Sequence, residues 1–181
     1  MTDFKTRILR SLKLDREVYR EVEHDEKALP QAMFVVVLSS VAAGLGSHAG
    51  GRGLLYLVTI TVISLILWYV WAFLTFVIGT KLLPVAETKA DMGQLLRTIG
   101  FSSSPGLIRV LGFIPGFSVI LFPVASVWML VAMVVAVREA LDYKSTLRAF
   151  FVCAIGWIVQ VLIFGFLIFL LYGRQMMRGT M

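Results

Sequence analysis

Long uncharged runs alternate with short charged segments, and that alternation lays out the elements. In the first 29 residues Phe4, Ile8 and Leu12 recur every four positions, and Leu14, Val18 and Val22 continue the stripe with a slow drift. Lys5, Arg10, Lys13, Arg16, Glu17 and Arg20 fall mainly on the other side. This pattern predicts an amphipathic helix that lies on a membrane surface or covers the end of a helical bundle. Pro30 marks the entry to a first apolar span. Its most apolar part, Ala32 to Leu45, is short, so it recruits Gly46 to Gly50 or sits in thinned bilayer. Leu54 to Thr80 carries no charge over 27 residues. That is roughly 40 Å of helix against a ~30 Å hydrocarbon core, so this span tilts or overshoots.

Lys81 to Asp91 is a polar loop. Met92 to Gly100 reads as a helix, with Leu95, Leu96 and Ile99 on one side and Arg97 on the other. Ser102, Ser103, Ser104 and Pro105 interrupt it before the apolar Leu107 to Ile114. Pro105 to Ile114 is too short to span alone. Extended back to Met92 it is long enough, with the serines inside, where neighbouring helices can satisfy the freed backbone groups. Phe117 to Val137 and Ala149 to Tyr172 are the last two spans, joined by the polar Arg138 to Arg148. The expected fold is therefore an all-α integral membrane protein, five transmembrane helices preceded by an amphipathic N-terminal helix. Residues 1–29 form the charged segment, 30–173 the membrane domain and 174–181 a short tail.

Composition agrees. The 181 residues are 59% hydrophobic and 15% charged, more apolar surface than a soluble domain of this length can hide. Cys153 is the sole cysteine, which excludes a disulfide within the chain and reads as a packing residue. The net charge of +6 is spread over basic residues that flank apolar runs, the signature of membrane topology rather than nucleic-acid binding. The first apolar run begins too far into the chain for a standard cleavable signal. With five spans, thirteen Lys and Arg share the side of the N-terminus, against Arg52, Arg174 and Arg178 on the other. A re-entrant dip at the serines would leave four spans and a count of twelve against four. The positive-inside rule favours five, and it puts the N-terminus in the cytoplasm under either count. The expected location is a bacterial plasma membrane, with the C-terminus outside.

Candidate chemistry is sparse. No zincin, nucleophile-elbow, Walker or dinucleotide fingerprint occurs, so no catalytic residue and no cofactor is assigned. His24 and His48 fall on opposite sides of the predicted membrane and cannot share a metal. An axial ligand role for His48 is a residual alternative. Arg109 and Gln160 are polar residues inside predicted spans, which makes them functional candidates. Arg109 is near enough to the Pro115–Gly116 turn to snorkel outward, and Gln160 reads as interhelical hydrogen-bond glue. Pro105, Gly112, Pro115 and Gly116 form a structural hinge. Gly46 to Gly50 and Gly112 to Gly116 each show small-residue spacing for close helix contact. Trp68, Tyr69 and Trp71 sit mid-span, where they pack against neighbours or stack on a pigment, quinone or lipid.

Three stretches are familiar: YREVEHDEKALPQA, ETKADMGQLLRTIGFSSSPGLIRVLGFIPG and WMLVAMVVAVREALDY. In this order between spans, from Tyr19 to Tyr172, the chain resembles the bacterial branch of the Yip-domain family, the Ypt/Rab-interacting membrane proteins. Its distinctive positions are Leu95, Leu96, Arg97, Gly100 and Pro105, Leu111 to Gly116, and Trp128 with Arg138, Glu139 and Ala140. The resemblance implies five transmembrane helices, a cytoplasmic N-terminus and an outward C-terminus. Eukaryotic members are linked to Rab GTPases and secretory traffic, and carry a longer N-terminal region than Met1 to Leu29.

The expected function is a non-enzymatic scaffold that binds a protein partner, or a second copy, or organises the local bilayer. Docking is expected on Glu87, Asp91, Arg97, Arg138, Glu139 and Asp142, beside the N-terminal helix. The alternative is a small accessory subunit of a larger respiratory or photosynthetic complex. The shortage of intramembrane charge argues against a transporter or channel.

Overall fold

A computed structural model describes residues 3–47, 53–85 and 90–178, and among these every regular element is helical. Where the stripe predicts one N-terminal helix, the chain forms two, α1 (Phe4–Leu12) and α2 (Arg16–His24). The break is local. Leu14 takes a left-handed conformation with φ 58°, and Asp15 caps α2 by accepting the Glu17 backbone N–H at 3.0 Å. The reversal turns both apolar stripes to the same side. Val18, Tyr19 and Val22 are fully buried with Ala32, Val35, Phe101 and Ala136, and Phe4 and Ile8 pack against that cluster. Of the two environments the sequence allows for this stripe, the bundle takes it up.

A single 3-10 turn, Glu26–Ala28, leads into α3 (Leu29–Gly46), with Pro30 in its first turn, where a missing N–H costs nothing. After α3 come α4 (Gly53–Val77), continued by a π-helical turn Ile78–Leu82, then α5 (Met92–Phe101), α6 (Ser118–Ala140) and α7 (Thr146–Arg178). The tail expected at 174–181 is thus helical as far as Arg178. Among the described residues four helices are long and apolar enough to cross a membrane: Glu26–Gly46, Gly53–Leu82, Ser118–Ala140 and Thr146–Ile163. Their outward faces are apolar as well. Only 11% of the apolar window of α4 is buried, a surface that water would not tolerate and lipid would.

The Met92–Ile114 stretch has its own construction. α5 gives way after the serines to a 3-10 helix, Ser104–Phe113, unusually long for that geometry. Ser102 and Ser104 donate their hydroxyls to the carbonyls of Ile99 and Phe101, each at 2.7 Å. These bonds occupy acceptors that the change of helix type releases. At the two helical rises, α5 and the 3-10 helix cover about 35 Å. They run beside α3 in the same direction. Gly100 lies against Ala32, Gly106 against Ser39, and Gly112 against Gly46. The approach is close enough that a Cβ on Gly46 would overlap the carbonyl oxygen of Arg109, and one on Gly106 would overlap Ser39 Oγ. The leading glycines of the two small-residue motifs therefore meet. Gly116, with φ 85°, makes the turn into α6.

A second core of Trp71, Leu95, Ile99, Val137, Leu141 and Cys153 joins α4, α5, α6 and α7. The end of α4, the start of α5, the end of α6 and the start of α7 all lie at one end of the bundle, with α2. Two contacts fix this: Arg20 Nε donates to Glu139 at 2.8 Å, and the Tyr143 hydroxyl is shared between the carbonyls of Leu83 (2.7 Å) and Gly79 (3.1 Å).

Gly46→Ala should lower stability by about 1–3 kcal/mol, because the added methyl meets backbone that cannot move aside. Gly165→Ala, where nothing lies within 4 Å of an added Cβ, should leave it unchanged. Thermal unfolding in detergent micelles checks the pair.

Candidate functional site

Polar chemistry gathers in two places: at the charged end just described, and in a cleft between helices.

At the charged end, α2 lies across α5 and α6. A nine-residue helix has little stability of its own, and its last carbonyls have no intrahelical partner. Arg97, only 7% exposed, supplies both needs. Its Nε donates to the Val22 carbonyl at 2.9 Å, and its Nη2 donates to the Glu23 carbonyl. Glu139, 6% exposed on α6, accepts from Arg20 and lies 3.9 Å from Arg16. Two of the six residues singled out for docking thus converge on α2 from two helices.

The other four are placed differently. Arg138 closes the α6–α7 turn, donating to the Tyr143 carbonyl (3.1 Å), the Lys144 carbonyl (3.2 Å) and Thr146 Oγ1 (3.0 Å). Asp142, exposed, sits in that turn with φ 53°. Asp91 begins α5 through a capping box: it accepts the Gln94 N–H at 2.8 Å and donates its own N–H to Gln94 Oε1 at 2.7 Å. Glu87 lies outside the described residues, as does His48.

Sequence reasoning did not single out Arg7, which is 1% exposed. Its guanidinium donates to Glu21 Oε1 (2.9 and 3.0 Å), Asp25 Oδ2 (2.7 Å) and Gln31 Oε1 (2.9 Å). This knits α1, α2 and α3 together. The signal was present: Phe4, Arg7, Ile8 and Ser11 follow helical i, i+3, i+4, i+7 spacing, which puts Arg7 on the inward face. The hydrogen bond from Arg7 holds the Asp25 carboxyl below its ordinary range, against the opposing effect of burial. Glu23, 3% exposed, goes the other way. Burial, with added repulsion from Asp142 and Glu139, raises its carboxyl to about 7, while His24 and Arg97 pull it down.

The second place is a cleft lined by both polar residues that the sequence places within apolar spans, Arg109 and Gln160. Arg109, on the 3-10 helix, does not reach out towards the Pro115–Gly116 turn. It crosses to α6, where Nη2 donates to Ser126 Oγ at 2.8 Å and the guanidinium lies 5.5 Å from the Phe122 ring centroid. Gln160 of α7 borders the same cleft, together with Trp71, Ser103 and Met129. The sequence flagged Arg109 and Gln160 separately and missed Ser126. Trp68, by contrast, is engaged with protein, donating its indole N–H to the Leu96 carbonyl at 3.2 Å. Of the hinge residues, Pro105 opens the 3-10 helix and Gly112 faces Gly46.

Residues 10–173 match the family model for the Yip1 domain. No curated protein and no solved structure gives a match. No group of His, Cys, Asp or Glu among the described residues is arranged to hold a metal.

Two outcomes follow for the charged end. Arg97→Ala strips a buried donor from two helix-end carbonyls, so the α1–α2 hairpin should be cleaved about tenfold faster by protease while the rest of the bundle resists. Glu23 binds a proton more tightly folded, at about 7, than at its ordinary 4.5. Glu23's own contribution to hairpin docking should therefore be lost as pH rises from 4.5 through 7, and Glu23→Gln should flatten the dependence across that window. Protease protection of the hairpin between pH 5 and 8 reads both.

Proposed function

The chain belongs to the Yip1-domain family of membrane proteins, and on that premise we propose that it is a non-enzymatic scaffold, receiving a protein partner at the end of the bundle that carries the α1–α2 hairpin. The observation that carries this reading is the use of Arg97 and Glu139. They hold α2 inward by its backbone and by Arg20, and leave Arg16, Glu17, Arg20 and His24 exposed along one helix. Asp142 and Asp91 are exposed on the neighbouring segments. The result is a fixed mixed-charge surface, on which like-charged partners are rejected and the orientation of a complementary one is set. In this reading Arg97, Arg138 and Glu139 shape the surface, while Asp91, Asp142 and α2 touch the partner.

The membrane threading belongs to the same proposal. The chain passes through the bilayer five times, α5 with its 3-10 extension making the third pass. What supports this is the register of that segment along the whole of α3 and its ~35 Å reach, enough for a ~30 Å hydrocarbon core. The serines and Pro105 then lie inside the bilayer with their backbone groups satisfied. By the positive-inside rule the hairpin end is cytoplasmic and α7 ends outside, in a bacterial plasma membrane.

Photocrosslinking amino acids placed at Glu17 and Asp142 in cells, with Leu54 at the opposite end as control, test the reading. A discrete adduct from the first two positions and none from Leu54 is expected, and Arg97→Ala should weaken it about tenfold. Adducts from all three positions alike, or from none, would contradict it.

A further inference from the structure

The cleft behind Arg109 is a cavity of about 920 Å³, with an adjoining one of about 400 Å³ that shares Trp71, Ser103, Arg109, Met129, Met133 and Gln160. Its length is set by α7, which lines it from Phe150 to Gly165, about 22 Å at helical rise. Near its start α7 is packed tightly, with Ala149, Val152 and Cys153 buried. Further along, Trp157 is 63% exposed and Phe166 61%, so the wall of the cleft is open sideways to lipid. The lining is largely apolar, with its polar groups few and grouped.

Those groups are unsatisfied in a particular way. Arg109 Nε and Trp71 Nε1 are buried donors without a hydrogen-bond partner, and Trp71 as a whole is 9% exposed. Among the described residues no carboxylate pairs with Arg109. The Ser126 hydroxyl that accepts from it passes its own proton to the Phe122 carbonyl at 2.7 Å. A cation with a spare donor, a second spare donor across the cleft and no internal anion leave a deficit of acceptors. In a low-dielectric setting such a deficit is costly. An elongated apolar slot with an acceptor-hungry cation in its wall, reached sideways from the bilayer, fits one class of molecule.

We propose that this cleft binds an anionic phospholipid, its phosphate held by Arg109 and its acyl chains lying against Met129, Met133 and Trp157. The phosphate oxygens supply acceptors to the guanidinium in the bidentate manner that suits arginine. Trp71 Nε1 is left to meet a second oxygen further along the ligand. The inference does not depend on any partner at the charged end.

The test uses the full-length protein in phosphatidylcholine nanodiscs, titrated with phosphatidylglycerol or with further phosphatidylcholine, each carrying brominated acyl chains that quench tryptophan. Bulk contact quenches alike for the two headgroups, so a difference reports the site. The expected result is half-quenching at about tenfold lower mole fraction for phosphatidylglycerol. Arg109→Gln should remove the preference and Arg109→Lys retain part of it. Ala154→Phe, which fills the cleft with Arg109 intact and adds no tryptophan to the readout, should also remove it, and serves should Arg109→Gln not fold. Equal quenching by the two headgroups, which a second copy filling the cleft would also give, would overturn the proposal. So would a preference that survives both Arg109→Gln and Ala154→Phe. Reversal by millimolar inorganic phosphate would overturn it too, by identifying a free anion as the ligand.

Discussion

The guanidinium of Arg97, buried against the last turn of α2, is the contact on which the charged end depends. α2 ends with carbonyls that need donors, and α5 carries one long side chain able to reach them. The bond is made to backbone, so it fixes where α2 stops and how it lies, regardless of which side chains α2 displays. Glu139 adds a second point through Arg20 from α6. α1 follows because Arg7 ties it to Glu21, Asp25 and Gln31. The hairpin is thus bolted to three separate helices by three arginines. Its apolar stripe does the rest, through Val18, Tyr19 and Val22 at zero exposure.

The same economy governs the apolar part of the bundle. Helices in lipid gain nothing from hiding apolar side chains from one another, so contact is made by shape. α3 and the α5/3-10 segment touch through Gly46, Gly100, Gly106 and Gly112, at separations only glycine permits. The 3-10 stretch is the geometric consequence. Pro105 stops the α-helix, and the tighter, longer-rise helix that follows keeps register with α3 and turns Arg109 towards α6. The proline and three serines that interrupt this segment are held by the bonds from Ser102 and Ser104.

Much of this could be read in advance, for identifiable reasons. Lipid demands long uncharged runs, so α3, α4, α6 and α7 are plain from charge alone, and Ser102 to Pro105 mark where α5 ends, but not the 3-10 geometry that follows. The Gly46 and Gly112 motifs are visible, though not that their leading glycines meet. The split between α1 and α2 was hidden, since Leu at positive φ carries no sequence signal and the apolar stripe runs across the break. Arg97 and Glu139 stand out in the sequence as charges on the side expected to be cytoplasmic, but a charge pattern cannot say whether a side chain looks outward or grips its own chain. Arg109 and Gln160 were visible as oddities one at a time. Only the fold brings them to one cleft with Ser126 and Trp71.

Hydrogen exchange on the unmodified full-length protein in nanodiscs bears most directly on the central claim, that the N-terminal hairpin is part of the bundle and not a tether attached to it. If Arg97 and the buried stripe hold α2 as described, the amides of Val18 to His24 exchange as slowly as those of α5, and the two segments open together. Exchange of Val18 to His24 at the rate of an unstructured peptide, with α5 still protected, would contradict the account.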